Sequence, residues 1–234
     1  LMYQIDFNKP LHIHFIGIGG ISMSGLAEIL LKEGFPISGS DSRKSELTAH
    51  LESLGATVRI GQRASNITDD IELVVYTAAI HEDNPEFACA RQKGLPMLTR
   101  AELLGQIMKN YEIPVAVSGT HGKTTTTSMI SHILLEADAD PTISVGGILP
   151  AIHGNIRVGR SETFVTEACE YMDSFLHLRP RIGVLLNIDS DHLDYFKNIN
   201  NIKKSFRQFV EQIPKEGVCL LYTSDAADDR ISVD

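Results

Sequence analysis

The chain has 234 residues, enough for one large domain or two smaller ones, and 43% of them are hydrophobic and 22% charged, as in globular proteins. A net charge of −9 argues against a broad face for nucleic acid, and no apolar run approaches the roughly 20 residues of a membrane span. We therefore expect neither a nucleic-acid partner nor membrane insertion.

The first part of the chain alternates strand patterns with helix patterns. An apolar run at residues 11–16 leads into the turn Gly17-Ile18-Gly19-Gly20, helical spacing follows over 22–33, and a short strand ends in Asp41. This order is typical of a dinucleotide-binding unit. Further strands at 57–60, 73–77 and 97–98 and helices at 45–54, 84–93 and 100–109 predict a Rossmann-like parallel sheet over residues 1–112.

The first glycine turn predicts a site for a phosphate-bearing ligand. It departs from the dinucleotide fingerprint, because Ser22 stands at the position of the third glycine. The turn alone does not distinguish a nicotinamide from another ligand with phosphates. Asp41 is placed either to bond a ribose hydroxyl or to cap the N-terminus of a helix.

A second glycine turn carries the strongest signal in the chain. An apolar β-branched strand leads into Gly119-Thr120-His121-Gly122-Lys123-Thr124-Thr125, and a helix-competent segment follows over residues 128–136. Backbone N–H groups of such a turn bind phosphate, the lysine reaches the β- and γ-phosphates, and Thr124 is placed for Mg²⁺. His121 either contacts phosphate or only shapes the turn. Val117 stands where the common pattern has glycine, so the loop is a shortened variant.

The phosphate loop opens a second α/β domain, predicted over residues 113–221. We expect strands at 142–147, 163–167, 182–188 and 217–221, a helix at 198–213, and a glycine-rich loop around His153 and Asn155. The pattern of the sheet stops before it is complete. Residues 222–234 are small and acidic, and we expect them to be an atypical tail that is either flexible or foreign to the protein.

Acidic residues follow two strands of this second domain. Because the carboxyl ends of parallel strands line the ligand crevice, Glu167 is the best candidate to complete a Mg²⁺ site with Thr124, and Glu170 is the next. Residues 189–194 bring three aspartates together with His192 just after another strand. This cluster suits metal binding or orientation of a phosphoryl group, and a polar turn is the alternative.

The location of the protein is predicted from its termini and cysteines. The first ten residues lack the basic and then apolar layout of a signal peptide. Cys89, Cys169 and Cys219 share no metal-ligand spacing, so we expect reduced, mostly buried thiols in a cytoplasmic protein.

Four motifs occur in an order that resembles the Mur ligases of peptidoglycan synthesis, and the resemblance covers residues 10–221. Within that family the glycine turn with Met23, Ser24 and Gly25 is most similar to members that attach L-alanine to UDP-N-acetylmuramate, and to a recycling relative that attaches a tripeptide. The motifs are residues 14–20, 119–124, 167–170 with 174–176, and 187–192.

The resemblance implies a cytoplasmic ligase that uses ATP and Mg²⁺. The lactyl carboxylate of UDP-N-acetylmuramate would take the γ-phosphate, and the amine of L-alanine would then displace phosphate from the acyl phosphate. Lys123 would hold phosphates, Thr124 and Glu167 the first Mg²⁺, and His192 a second. The UDP-sugar would be bound by Gly17, Gly19, Gly20, Ser22, Asp41 and Thr77, and ATP by Gly119, Thr120, His121, Gly122, Lys123, Thr124 and Thr125.

The chain also departs from the family pattern. The resemblance implies a third domain that has no counterpart here, so we expect a fragment that is inactive alone. Ser22, Cys169 and Met172 stand where many relatives have glycine or acidic residues. The alternatives are the recycling ligase, a nicotinamide oxidoreductase, and a non-catalytic fragment that binds UDP-sugar and ATP. The residues define neither the oligomeric state nor the choice of L-alanine over glycine or L-serine.

Overall fold

A computed structural model describes residues 4–222, and the chain divides between Asn110 and Tyr111 into two compact units. The sequence predicts this boundary between residues 112 and 113. The predicted tail lies outside the described residues except for Tyr222. None of the helices within residues 4–222 is long and apolar enough to cross a membrane.

The first unit is an α/β fold in which strands and helices alternate. Its elements are β1 (Ile13–Ile16), α1 (Ile21–Lys32), β2 (Ile37–Asp41), α2 (Glu46–Ser53), β3 (Thr57–Ile60), β4 (Leu73–Tyr76), α3 (Pro85–Gln92), β5 (Met97–Thr99) and α4 (Arg100–Met108). The strands form one sheet in the order β3-β2-β1-β4-β5, and all neighbours are parallel. The sheet confirms the Rossmann-like prediction. It brings the carboxyl ends of β1, β2 and β4 to one edge.

Short-range hydrogen bonds explain where three of these helices begin. The Ser45 hydroxyl accepts the N–H of Thr48 and starts α2, and Asn84 caps α3 directly before a proline at its first position. Thr99 and Glu102 form a capping box at the start of α4. Such caps satisfy N–H groups that the first helical turn leaves without a partner.

A buried carboxylate ties several elements of the first unit together. Glu86, at the start of α3, is 0% exposed. Its oxygens accept hydrogen bonds from Ser40 Oγ at 2.6 Å, Asn66 Nδ2 at 2.5 Å, Arg63 N at 3.2 Å and His14 Nε2 at 3.4 Å. Burial raises the pKa of this carboxyl, but the hydrogen bonds from His14, Ser40 and Asn66 outweigh it, so its pKa lies below the ordinary value.

The second unit contains a mixed sheet. Its elements are β6 (Ile113–Ser118), α5 (Lys123–Glu136), β7 (Thr142–Leu149), β8 (Gly154–Arg157), β9 (Thr163–Glu167), β10 (Ile182–Leu185), α6 (Leu193–Phe196), α7 (Ile199–Glu211) and β11 (Val218–Leu221). The strand order is β11-β10-β6-β9-β7-β8, and only the pair β7–β8 is antiparallel among the described strands. Phe206 and Phe209 of α7 pack on Phe175, which is fully buried.

Several details of the second unit differ from the sequence prediction. The predicted loop around His153 and Asn155 contains strand β8, because the chain reverses at His153, with φ of +53°, and pairs with β7. Helix α5 begins at Lys123 instead of residue 128, and β10 ends at Leu185 instead of residue 188. A short 3-10 segment, Tyr171–His177, was not predicted.

The prediction of mostly buried cysteines is wrong. Cys89 and Cys219 are only half-buried, and Cys169, in the loop just after β9, is exposed. All three are free thiols. Burial raises the pKa of the Cys219 thiol.

Candidate nucleotide-binding sites

The first glycine turn lies between β1 and α1, at the carboxyl edge of the first sheet. Gly17 has φ of +85°, a conformation that favours glycine. The Ser40 carbonyl accepts the N–H groups of Gly17 and Ile18 at 2.8 and 2.9 Å, which fixes the turn to the end of β2. Gly20 is the N-cap of α1 and has no side chain to cap it. The turn therefore leads into a helix N-terminus that no side chain caps, and a helix N-terminus of this kind favours phosphate.

Asp41 contacts this turn directly. Its Oδ2 accepts the N–H of Gly19 at 2.8 Å, and a Cβ at Gly19 would lie 2.8 Å from the same oxygen. A side chain at position 19 would therefore require the Asp41 carboxylate to shift. The interpretation of Asp41 as a helix cap is wrong, since Ser45 is the N-cap of α2. Its bond to a ribose hydroxyl stays a prediction.

Two further predicted residues lie near the turn. Thr77 follows β4, and its Cγ2 is 4.0 Å from where a Cβ of Gly17 would be. Ser22 is exposed in the first turn of α1. The third glycine of the fingerprint allows the helix to pack closely on the strand. Because residue 22 is exposed and does not pack on the strand, glycine is not required at this position.

The phosphate loop connects β6 to α5. Gly119 has φ of +138°, and Gly122, the N-cap of α5, has φ of +83°. A Cβ at Gly119 would lie 3.0 Å from Leu186 Cβ and 3.2 Å from Asn187 N. The loop therefore needs glycine at position 119 for both conformation and space. Thr125 is exposed in the first turn of α5.

Asn187, which follows β10, holds the loop from its far side. Its carbonyl accepts the N–H of Thr120 at 3.1 Å, and its Oδ1 accepts the N–H of His121 at 2.8 Å. Its Nδ2 donates to the carbonyl of His121 at 3.0 Å. Thr120 Oγ1 accepts the N–H of Asp189 at 2.9 Å. The His121 ring is exposed, and its Nε2 lies 3.9 Å from Asp189 Oδ2.

Lys123 points back over its own loop. Its Nζ donates to the carbonyl oxygens of Gly119 and Thr120 at 2.7 and 3.2 Å. It also forms an ion pair with Glu170, at 2.8 Å to Oε2 and 3.1 Å to Oε1. The ammonium group therefore lies at the centre of the loop, where phosphate oxygens would be bound.

Thr124 and Glu167 come together as the sequence predicts. Thr124 Oγ1 donates to Glu167 Oε2 at 3.0 Å, and the N–H of Gly146 donates to Oε1 at 2.6 Å. A Cβ at Gly146 would lie 2.9 Å from Oε2, so a side chain at position 146 would require the Glu167 carboxylate to shift. A hydroxyl and a carboxylate oxygen thus converge beside the phosphate loop.

His192 lies in a second cluster of the same unit. Its Nε2 is 3.7 Å from Glu170 Oε1, and its ring is 4.7 Å from the ring of Tyr171. The Tyr171 hydroxyl donates to Asp194 Oδ2 at 3.2 Å, and this hydrogen bond with the nearby charge raises the pKa of Tyr171. His192 itself has φ of +50°. Asp191 Oδ1 accepts its N–H at 2.7 Å.

The residues present fit ATP and one Mg²⁺. Mg²⁺ is usually bound by one or two protein oxygens, with phosphate oxygens and water completing six ligands, and the Thr124–Glu167 pair supplies two. Within residues 4–222, no group of three or more His, Cys, Asp or Glu side chains is arranged to hold a metal. The predicted role of His192 as a ligand for a second Mg²⁺ stays a prediction.

Sequence reasoning missed several contacts of this site. The ion pair of Glu170 with Lys123 spans 47 residues, and no spacing rule could identify which acid contacts the lysine. The N–H of Gly146 and the ring of Tyr171 were also missed. Asn187 belongs to one of the motifs, and its polar side chain near the end of an apolar strand pattern is the one sequence signal that points to its contact with the loop.

Together, the two sheets and the two glycine turns define an α/β protein with two candidate phosphate-binding turns. Family models agree: the Mur ligase family catalytic domain matches residues 12–112, and the Mur ligase middle domain matches residues 117–232. The chain belongs to the Mur ligase family. The second match extends beyond Leu221, where the atypical tail was predicted to begin.

Three similar proteins are informative. UDP-N-acetylmuramate–L-alanine ligase of Agathobacter rectalis is 66% identical over 94% of the chain, which spans 48% of that relative. The solved UDP-N-acetylmuramate-alanine ligase of Thermotoga maritima is 32% identical, with a TM-score of 0.77 over 89% of this chain and 48% of that one. UDP-N-acetylmuramate:L-alanyl-gamma-D-glutamyl-meso-diaminopimelate ligase of Neisseria meningitides is 31% identical, with a TM-score of 0.81 over 91% and 71%.

Proposed function

We propose that this chain forms the UDP-sugar-binding and ATP-binding domains of a ligase that joins L-alanine to UDP-N-acetylmuramate in cytoplasmic peptidoglycan precursor synthesis. The chain spans about half the length of the curated relatives it matches, so the activity is proposed for the whole protein. The observation that carries the proposal is the phosphate loop with Lys123 at its centre and the Thr124–Glu167 pair beside it. The identity of 66% to an L-alanine ligase supports the choice of amino acid.

The proposed reaction has two steps. A lactyl carboxylate oxygen attacks the γ-phosphorus of ATP, the bond from that phosphorus to the β,γ-bridging oxygen breaks, and ADP leaves with the electron pair. The amine of L-alanine then attacks the carbonyl of the acyl phosphate, the amine loses a proton, and inorganic phosphate leaves as the amide forms. Phosphoryl transfer depends mainly on alignment and charge neutralisation.

Each residue has a proposed role in that reaction. Lys123 would neutralise the β- and γ-phosphates, and the N–H groups at the start of α5 would bind their oxygens. Thr124 and Glu167 would hold Mg²⁺, which supplies charge neutralisation on the phosphates, and His192 is proposed as a ligand of a second Mg²⁺. The turn around Gly19 would bind the pyrophosphate of the UDP-sugar, with Asp41 close to the ribose.

A second candidate is the recycling ligase that attaches a tripeptide to the same UDP-sugar. The structural similarity to the Neisseria ligase, with a TM-score of 0.81, is the reason to include the tripeptide as a substrate in the test. A nicotinamide oxidoreductase is not favoured, because a second phosphate loop and the family match point elsewhere.

The test is ADP release by the full-length protein, with UDP-N-acetylmuramate and L-alanine added singly and together. We expect release only when both are present, and its loss in Lys123→Ala, with UDP-sugar binding retained. Lys215→Ala, an exposed lysine of the same unit, is the matched control. Release with the tripeptide but not with L-alanine would move the assignment to the recycling ligase, and near-normal turnover in Lys123→Ala would contradict the proposed site.

A further inference from the structure

The phosphate-loop lysine has more acceptors than it has protons. A lysine ammonium carries three N–H donors, and Lys123 directs them to the carbonyls of Gly119 and Thr120 and to both oxygens of Glu170. Phosphate oxygens bound at the loop would need the same donors. Phosphate and Glu170 therefore compete for Lys123.

Glu170 cannot lose the lysine without another partner. Its side chain is 3% exposed, and an uncompensated charge at such a site is strongly unfavourable. Within the described chain, its ion-pair partners are Lys123 and His192, whose Nε2 lies 3.7 Å from Oε1. A small shift of the carboxylate or the ring would bring this second pair to hydrogen-bond distance.

We infer that Glu170 is a positioning residue that exchanges partners, bound to Lys123 until nucleotide phosphate takes the lysine and to His192 thereafter. Nucleotide binding would thereby be transmitted to the loop that carries His192. Tyr171, directly after Glu170, packs against the His192 ring with the ring centroids 4.7 Å apart, so it would move with the same segment. The inference rests on the proposed nucleotide site and assigns to Glu170 a role distinct from metal binding.

The competition predicts the direction of a mutational effect. When a site is able to bind its ligand for only a fraction of the time, the observed affinity is the intrinsic affinity multiplied by that fraction. If Lys123 is free of Glu170 about a tenth of the time, the neutral variant Glu170→Gln binds ADP about tenfold more tightly. A carboxylate that merely supported the loop would give the opposite result, since its removal would weaken binding.

The first measurement is calorimetric titration of the chain with ADP in EDTA, which removes any effect of metal at His192. Glu136→Gln is the matched control, because it makes the same charge change on an exposed residue at the other end of α5, about 20 Å away. We expect tighter binding in Glu170→Gln and wild-type affinity in Glu136→Gln. Unchanged or weaker binding in Glu170→Gln overturns the inference.

The second measurement observes His192 directly by NMR of ¹⁵N-labelled histidine side chains. ADP in EDTA should shift the ring resonances of His192 in the wild type but not in Glu170→Gln, while exposed His132 stays unchanged in both. Unshifted ring resonances of His192 in the wild type, or an equal shift in both proteins, would overturn the proposed exchange of partners by Glu170. The wild-type measurement alone tests the proposal if Glu170→Gln does not fold. Lys123→Ala separates the two proposals, because ADP binding that does not depend on Lys123 would refute the nucleotide site itself.

Discussion

The buried carboxylate of Glu86 should make the stability of the first unit depend on pH. In Glu86→Gln the side chain keeps its shape but has one acceptor oxygen where the carboxylate has two. The Oε1 atom serves Arg63 and Asn66, and Oε2 serves Ser40 and His14, so one pair of donors must face an NH₂ group.

The magnitude follows from the bonds that are lost. A hydrogen bond to a charged group contributes about 1.5–3 kcal/mol, so losing two costs about 3 kcal/mol or more at pH 7. For a unit of this size that loss corresponds to a decrease in Tm on the order of 10 °C. Glu82→Gln is the matched control, since Glu82 is 79% exposed in its pair with Arg91, and we expect a change below about 1 kcal/mol.

The pH dependence gives the sharper test. Because the pKa of Glu86 is lower in the folded state than its ordinary value of 4.5, its stabilisation is present above pH 4.5 and is lost as the pH falls through the lowered folded-state pKa. The difference between wild type and Glu86→Gln should therefore shrink below pH 4.5. Urea denaturation from pH 3 to 8, with hydrogen-exchange mass spectrometry on peptides of the first unit, measures it. A difference that stays constant down to pH 3 would refute the reasoning.

Two other substitutions test the phosphate loop. Gly119→Ala should destabilise the second unit by about 1–3 kcal/mol and abolish ADP binding, because φ is +138° and the new Cβ meets Leu186. The control Gly94→Ala, at positive φ but with open space around it, should lower Tm slightly and leave ADP binding intact. Equal effects of the two substitutions would be evidence against a special requirement for glycine at position 119. Glu167→Gln should lower the ADP affinity measured with Mg²⁺ about tenfold, which removes most of the gain that the metal gives. The ADP affinity measured in EDTA should not change. A full Mg²⁺ effect in that variant would mean that Thr124 and Glu167 do not bind the metal.

The order of strands and helices could be predicted because the local signals agree with the fold. In the first unit, short strands alternate with helices, of which α2, α3 and α4 have side-chain caps, and the structure confirms the predicted strands and helices within a few residues. The signals fail where tertiary contacts decide. Strand β8 is Gly-Asn-Ile-Arg, which has little β-propensity of its own and forms a strand because β7 offers an edge.

The start of α5 shows a second limit. The sequence predicts a helix-competent segment only from residue 128. Four consecutive threonines, Thr124 to Thr127, precede it, and β-branched residues are poor helix formers. The helix nevertheless begins at Lys123, because Gly122 in the left-handed conformation directs the chain into it and Thr127 is buried against the unit. The parts of the candidate site whose residues are contiguous in a motif, such as the phosphate loop, could be predicted from the sequence. The pairing of Lys123 with Glu170 depends on the sheet order.

The most direct test of the acyl-phosphate mechanism uses UDP-N-acetylmuramate with ¹⁸O in its lactyl carboxylate. In the proposed reaction a carboxylate oxygen bonds to the γ-phosphorus and leaves with it, so each inorganic phosphate released by the full-length protein with ATP and L-alanine should carry one ¹⁸O by mass spectrometry. Unlabelled phosphate, with the amide still formed, would contradict the mechanism.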